Sequence, residues 1–187
     1  MSATVSTPPV PGLLARRAAI VGAVVLAVVV VLAVLLTRSW SGSGTPVAVR
    51  PAPAVAAADV RDGSPPVELS AVRSGRPAVV NFFAAWCEPC RQELPLLARA
   101  AAAHADVAFV GVDFQDSRAS AADLLARYGI TYPAAYDPKG DIAASYGIRG
   151  LPATAFVDAR GRITEMHLGA LTASELDRRV SRLAPTR

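Results

Sequence analysis

Cysteine is nearly absent from this chain: 187 residues hold only two. Both fall in the single stretch Cys87-Glu88-Pro89-Cys90, so no framework of disulfides can staple the fold. Histidine is as scarce, with His104 and His167 alone, and each reads as structural or solvent-facing. The two thiols make at most half a zinc site: with no second C-x-x-C and no His pair, a four-ligand structural site is incomplete, and no metal or cofactor is expected. Acid is missing from the whole N-terminal part. All fifteen Asp and Glu lie at or after Asp59, together with fifteen of the nineteen Lys and Arg, so the net charge of +4 belongs to Arg16, Arg17, Arg38 and Arg50. The rest of the chain is near neutral, and nothing favours nucleic acid as a partner.

Charge is also lacking across residues 18–36, which hold no strongly polar side chain. At helical rise these nineteen residues span about 28 Å, close to the hydrocarbon thickness of a bilayer. They read as a transmembrane signal-anchor helix. A secretory signal has a shorter core, about 7–15 residues, with a small-x-small site close behind; here Thr37-Arg38-Ser39-Trp40 follows, which favours a retained anchor. No cysteine follows the run, so lipoprotein anchoring is excluded. Arg16 and Arg17 outweigh the lone Arg38, which places the short tail, residues 1–17, in the cytoplasm and the C-terminal domain outside. Residues 37–58, rich in Ser, Gly, Pro and Ala, read as a flexible linker with a reach of roughly 25 Å. The globular domain is then 59–187, long enough for a proper core.

What this domain does have is a junction. Residues 79–83 form a run of β-branched and aromatic residues that reads as a buried strand, and the segment from Cys87 to about residue 103 reads as a helix with Pro95 inside it. Cys87 stands at the helix mouth, where amide N–H groups and the partial positive charge of the helix stabilise a thiolate; Cys90 lies one turn further in. Cys87 is the attacker and Cys90 the resolver: a mixed disulfide formed by the first must be released by a second thiol that reaches the same sulfur. Pro89 removes a donor and Glu88 adds negative charge beside Cys87, so the thiol is less acidic than in a strong oxidant and the dithiol is the better reductant. Glu93 falls one turn beyond Cys90, near enough to exchange a proton if both face inward. Phe83 reads as core and Trp86 as an apolar rim for peptide docking.

Further along, residues 67–72 read as a short strand and 107–113 as a second central strand. A helix follows over 120–128, with Ser120 and Asp123 in capping-box spacing and Gly129 after it. Residues 131–136 read as a strand, 137–140 as a turn and 141–146 as a short helix. A hairpin over 153–168 and a helix over 172–183, with Thr172 and Glu175 in capping-box spacing, close the domain. Strands alternating with helices, then a hairpin and a helix, make an α/β layer with a mixed sheet.

Trp86-Cys87-Glu88-Pro89-Cys90 after a strand, Pro95 beyond it, and Gly150-Leu151-Pro152 just before a later strand together resemble the thioredoxin superfamily. Glu93 and the added helix–strand insert at about 120–136 resemble, more narrowly, its membrane-anchored TlpA/ResA/CcmG-like branch. The resemblance implies a thioredoxin-like fold, Cys87 as an exposed nucleophile, Cys90 as a buried resolving thiol, and Pro152 as a cis-proline facing the pair. Leu151 would offer backbone hydrogen bonds to a bound peptide, and Glu93 would sit in a cavity behind the cysteines and influence their protonation. It also implies a disulfide-containing protein client such as apocytochrome c in cytochrome c maturation, and a membrane electron donor of the CcdA/DsbD type. One departure is visible: Ala153-Thr154-Ala155-Phe156 replaces two threonines and a bulky apolar residue, leaving a smaller wall near the groove.

The expected activity is reduction of extracytoplasmic disulfides through a Cys87/Cys90 dithiol–disulfide cycle. Its rivals are an oxidase of secreted chains, a copper(I) carrier using the two thiols and a distant His, a thiol peroxidase, and a non-catalytic interaction module. The peroxidase reading is weakened by Ala84, where peroxiredoxin-like sequences carry a hydroxyl residue.

Overall fold

A computed structural model describes residues 49–183 and, apart from them, residues 26–27. The chain divides into two units, Met1–Ser43 and Gly44–Arg187, and the fold below belongs to the second. The expected anchor at 18–36 and the first part of the linker lie outside the described residues, bar that helical pair. No helix among the described residues is long and apolar enough to cross a membrane.

The sheet is built around the apolar run expected to be central. Strand β4 (Ala78–Phe83) is buried along its whole length, as a strand covered on both faces must be. It pairs in parallel with β5 (Ala108–Phe114), which pairs in parallel with β6 (Ala134–Asp137). On its other side β4 meets β7 (Ala153–Val157) antiparallel, and β7 meets β8 (Arg162–Leu168) antiparallel through a hairpin. Strand β1 (Arg50–Pro51) closes the edge against β8, giving the order β1-β8-β7-β4-β5-β6. A second ribbon joins β2 (Ala56–Ala57) to β3 (Val67–Glu68). This is a thioredoxin-like α/β fold with a mixed sheet.

Alternation along β4 splits the core in two. Val79 and Phe83 face a layer with Leu94 and Leu97 of helix α2 (Glu88–Ala103) and Leu124 and Leu125 of α3 (Arg118–Arg127). Ala78, Val80 and Phe82 face a second layer with Ala143 and Tyr146 of α4 (Asp141–Tyr146). Helix α5 (Ala173–Leu183) adds Leu176 and Val180 to the first layer. Gly111 of β5 sits under the Phe83 ring: a Cβ there would lie 2.9 Å from Phe83 Cε1 and 3.1 Å from Ala134 Cβ.

Four expectations are corrected. The fold begins near Arg50 and not Asp59: Val55 is buried, Leu69 N–H donates to Val55 O (2.9 Å), Tyr136 N–H to Ala58 O (2.9 Å) and Tyr146 Oη to Pro53 O (2.8 Å). The lead-in expected as one strand over 67–72 pairs only through Glu68, because its antiparallel partner begins at Ala56; it then turns into helix α1 (Leu69–Arg73). Helix α3 starts earlier, capped by Ser117, whose Oγ accepts the Ser120 N–H (3.1 Å), so Ser120 is not the cap. Strand β6 starts at Ala134, past Pro133, which has no N–H to give to the ladder. The capping box at Thr172 is present: Glu175 N–H donates to Thr172 Oγ1 (3.3 Å), and Thr172 N–H to Glu175 Oε2 (3.0 Å).

Candidate active site

Strand β4 delivers the chain to the centre. After Phe83 it bends so that Cys87 N–H donates to Ala84 O (3.1 Å), and Cys87 becomes the N-cap of α2 in an extended conformation. Cys87 and Cys90 are joined in a disulfide, their Cα atoms 5.3 Å apart. The Cys90 N–H reaches Cys87 Sγ at 3.2 Å, the one donor that this sulfur receives among the described residues. Pro89 occupies the first turn, where a missing N–H costs nothing. Glu88 does not face Cys87 as an unpaired charge: it is ion-paired with Arg91 and also accepts from Gln92 Nε2 (3.3 Å). Arg91 in turn donates to Ala85 O (2.8 Å), locking the loop before the cysteines.

The exposure expected of Cys87 is corrected in degree. In the disulfide form Cys87 is 5% exposed and Cys90 1%, and both belong to the apolar layer that includes Ala84 and against which Leu151 packs. Trp86 stands 58% exposed beside the pair, its indole N–H tied to Gln115 O (3.2 Å), and Phe83 is core. Ala85 N–H donates to Asp116 Oδ2 (2.5 Å), a second tie between this loop and the β5–α3 connection.

The Leu151–Pro152 bond is cis. Register pairs Phe82 with Ala153, which carries Pro152 to the level of Phe83, at the strand end that leads into the cysteines. Pro152 O accepts the Gly169 N–H (2.8 Å), while Leu151 N–H and C=O have no partner among the described residues.

Glu93 points inward and is 1% exposed. Its Oε1 accepts the Leu171 N–H (2.9 Å) and its Oε2 the Asn81 Nδ2–H (3.4 Å). Burial pushes its carboxyl up to about 7, against the opposing pull of these two donors. Asn81 also donates to Thr154 Oγ1 (3.1 Å), so β4, β7 and α2 meet in a buried polar knot. The sequence reading passed over Asn81, Thr154 and Leu171. Asn81 was visible as the single polar residue inside the apolar run 79–83. A second buried acid was passed over in the same way: Asp113 of β5 is fully buried, and among the described residues neither of its oxygens has a hydrogen-bond partner.

Neither histidine bonds into this knot, although His167 is the register partner of Thr154 on β8. His104 lies 3.6 Å from Asp177, and His167 is buried with Nδ1 3.5 Å from Arg179 Nη2; burial and that guanidinium hold its pKa below the ordinary value. Among the described residues no group of three or more His, Cys, Asp or Glu is placed to hold a metal ion.

A C-x-x-C pair at a helix mouth, closed as a disulfide, with a cis-proline at the neighbouring strand end and a buried acid one turn behind, on this sheet, defines a thioredoxin-like thiol–disulfide oxidoreductase. Residues 48–180 match the Redoxin family, and the chain belongs to it. It is 34% identical over 110 residues to the thioredoxin-like protein YneN of Bacillus subtilis, covering 57% of this chain and 64% of YneN. It is 34% identical over 130 residues to the thiol:disulfide interchange protein DsbE of Allochromatium vinosum, covering 69% of this chain and 71% of that protein. Among solved structures it resembles a secreted Mycobacterium tuberculosis disulfide oxidoreductase homologous to E. coli DsbE, with a TM-score of 0.63, 29% identity, and coverage of 69% of this chain and 96% of that one. The match with YneN spans less than two thirds of that relative's length.

Proposed function

We propose that this protein is a reductase of protein disulfides outside the cytoplasm, held at the membrane by residues 18–36. The observation that carries the direction is the electrostatic setting of the pair. Among the described residues Cys87 Sγ receives one backbone donor and no cationic one, while a carboxyl with no cationic partner is buried behind Cys90. A dithiol whose thiolate is weakly stabilised gives up its electrons readily, since stabilising the reduced form is what makes such a pair oxidising.

The cycle then runs as follows. Cys87 thiolate attacks one sulfur of the client disulfide; that S–S bond breaks and the first client thiolate leaves. Cys90 passes its proton to the Glu93 carboxylate, attacks Cys87 Sγ and releases the second client thiolate, closing the Cys87–Cys90 bond. The client gains two electrons, and the two thiols of this protein are oxidised to its disulfide. An external dithiol restores them by the reverse exchange; a membrane donor of the CcdA/DsbD type fits this role. The unpaired N–H and C=O of Leu151 and the exposed face of Trp86 offer a client chain a backbone and an apolar contact. Apocytochrome c, with a C-x-x-C of its own, is the client the resemblance points to.

Equilibration with thiol–disulfide buffers tests the direction. A potential near that of thioredoxin, roughly −270 mV or below, is expected, and one near about −120 mV overturns the reductase reading in favour of the oxidase. Trapping with Cys90→Ala should leave the client on Cys87, and haem-attachment substrates among the captured chains are the expected outcome. Labelling of Cys87 in intact cells by a membrane-impermeant thiol reagent checks the outward orientation.

A further inference from the structure

A carboxyl that shuttles a proton inside a closed core poses a hydrogen-bonding problem. When ionised it needs donors; when it carries the proton it needs an acceptor for its O–H, and water cannot supply either if the site is sealed. Glu93 is 1% exposed, and one of its two partners, the Leu171 N–H, can only donate. The other partner is the Asn81 amide, which has a donor end and an acceptor end. Behind it sits Thr154 Oγ1, a hydroxyl that can also accept or donate, 3.1 Å from Asn81 Nδ2. Asn81 and Thr154 are 2% and 0% exposed and are register partners on β4 and β7, so the pair is fixed by the strand ladder.

We propose that Asn81, seated on Thr154, is a positioning residue that serves Glu93 in both of its protonation states by turning its amide end for end. With Nδ2 towards Glu93 it donates to the carboxylate while Thr154 Oγ1 accepts from the same nitrogen. With Oδ1 turned inward it accepts the O–H of the protonated carboxyl, and the Thr154 hydroxyl donates. Two ambivalent groups in series let the proton come and go with a hydrogen-bond partner offered to Glu93 in either state.

The other groups around this site do not duplicate the function. Cys90 of α2 is the proton source. Tyr132, ahead of β6, is buried with its hydroxyl unpartnered among the described residues, and its pKa is raised by burial and then by the Glu93 charge. His167 of β8 is the register partner of Thr154 but turns its Nδ1 to Arg179 of α5, and Arg179 is itself paired with Glu165 (2.7 Å).

The inference rests on the acid–base role given to Glu93 above, and its test separates the two. In the oxidised full chain in detergent the cysteines do not titrate, so the ¹³C carboxyl signal of Glu93 reports its own protonation. The Asn81 side-chain amide signals should move with the same midpoint as that carboxyl. Asn81→Leu should shift the midpoint upward by about one pH unit or more, and Thr154→Val should shift it the same way by less, as expected for loss of a bond to a charged group. The pH at which the Cys87–glutathione mixed disulfide is resolved at half its maximal rate should move with it. An unmoved Glu93 midpoint in folded Asn81→Leu overturns the proposal, and if that variant does not fold, an unmoved midpoint in Thr154→Val does so. If Glu93→Gln leaves the resolution profile unchanged, the proton-transfer role of Glu93 fails. A potential near the oxidase value would change the direction assigned to the cycle and leave this result standing.

Discussion

Two carboxyls in the core, Glu93 and Asp113, are held protonated to a higher pH than surface acids. Asp113 is pushed up to about 8 by burial, then by the charges of Asp116 and Asp137; Glu93 is pushed up to about 7, chiefly by burial. In both cases the folded state holds the proton more tightly than the unfolded chain. Their stabilising contribution is complete below the ordinary carboxylate range and is lost as pH rises to about 7 for Glu93 and about 8 for Asp113. Asp113→Asn removes the larger part of this loss. The variant should match the parent at about pH 4 and exceed it by several kcal/mol at about pH 9, as read from urea midpoints at each pH. The cysteines were legible at once because their spacing is itself the chemistry. Asn81, Thr154 and Asp113 were not, because a polar residue in a buried strand announces its partners only when the neighbouring strands are in register.

At the level of elements, the sequence was most readable where a turn residue punctuates it. Helix α4 runs from Asp141 to Tyr146 between Gly140 and Gly147, as expected, and both glycines adopt positive φ of 78°. The hairpin over 153–168 and the capping box at Thr172 were equally plain. Where two hydroxyl residues competed, spacing misled: Ser120 has an acid three residues on, yet Ser117 is the residue in extended conformation with its own N–H held by Asp116 Oδ1 (2.6 Å). Ser117→Ala should therefore cost about 1 kcal/mol in chemical denaturation, whereas Ser120→Ala costs a few tenths. Equal losses would mean that the helix starts where the spacing alone suggested.

At the scale of the whole molecule, the fold class was legible from the alternation of strands and helices, but the border of the domain was not. Residues 50–58 are Ala- and Pro-rich and look like more of the tether in composition. Their place is fixed by long-range bonds, among them Arg50 Nη2 to Tyr146 O (3.0 Å), Ala52 N–H to Gly161 O (2.9 Å) and Tyr146 Oη to Pro53 O (2.8 Å), together with the buried side chain of Val55. A chain beginning at residue 49 should keep the melting behaviour of the parent domain. One beginning at residue 59 loses Val55, worth about 2 kcal/mol, and the β1 and β2 pairings besides, and should melt markedly lower.

The hollow at Gly111 ties these scales together. Twenty-four residues downstream of the nucleophile, it is the seat into which the Phe83 ring settles, and the next turn of chain carries Ala84 through Cys87. A methyl group placed there would press on that ring at the strand end from which the cysteine loop departs. A Gly111→Ala allele would thus strain the base of the redox centre, and lower its rate of insulin-disulfide reduction, while leaving every sulfur, acid and proline of the centre in the gene.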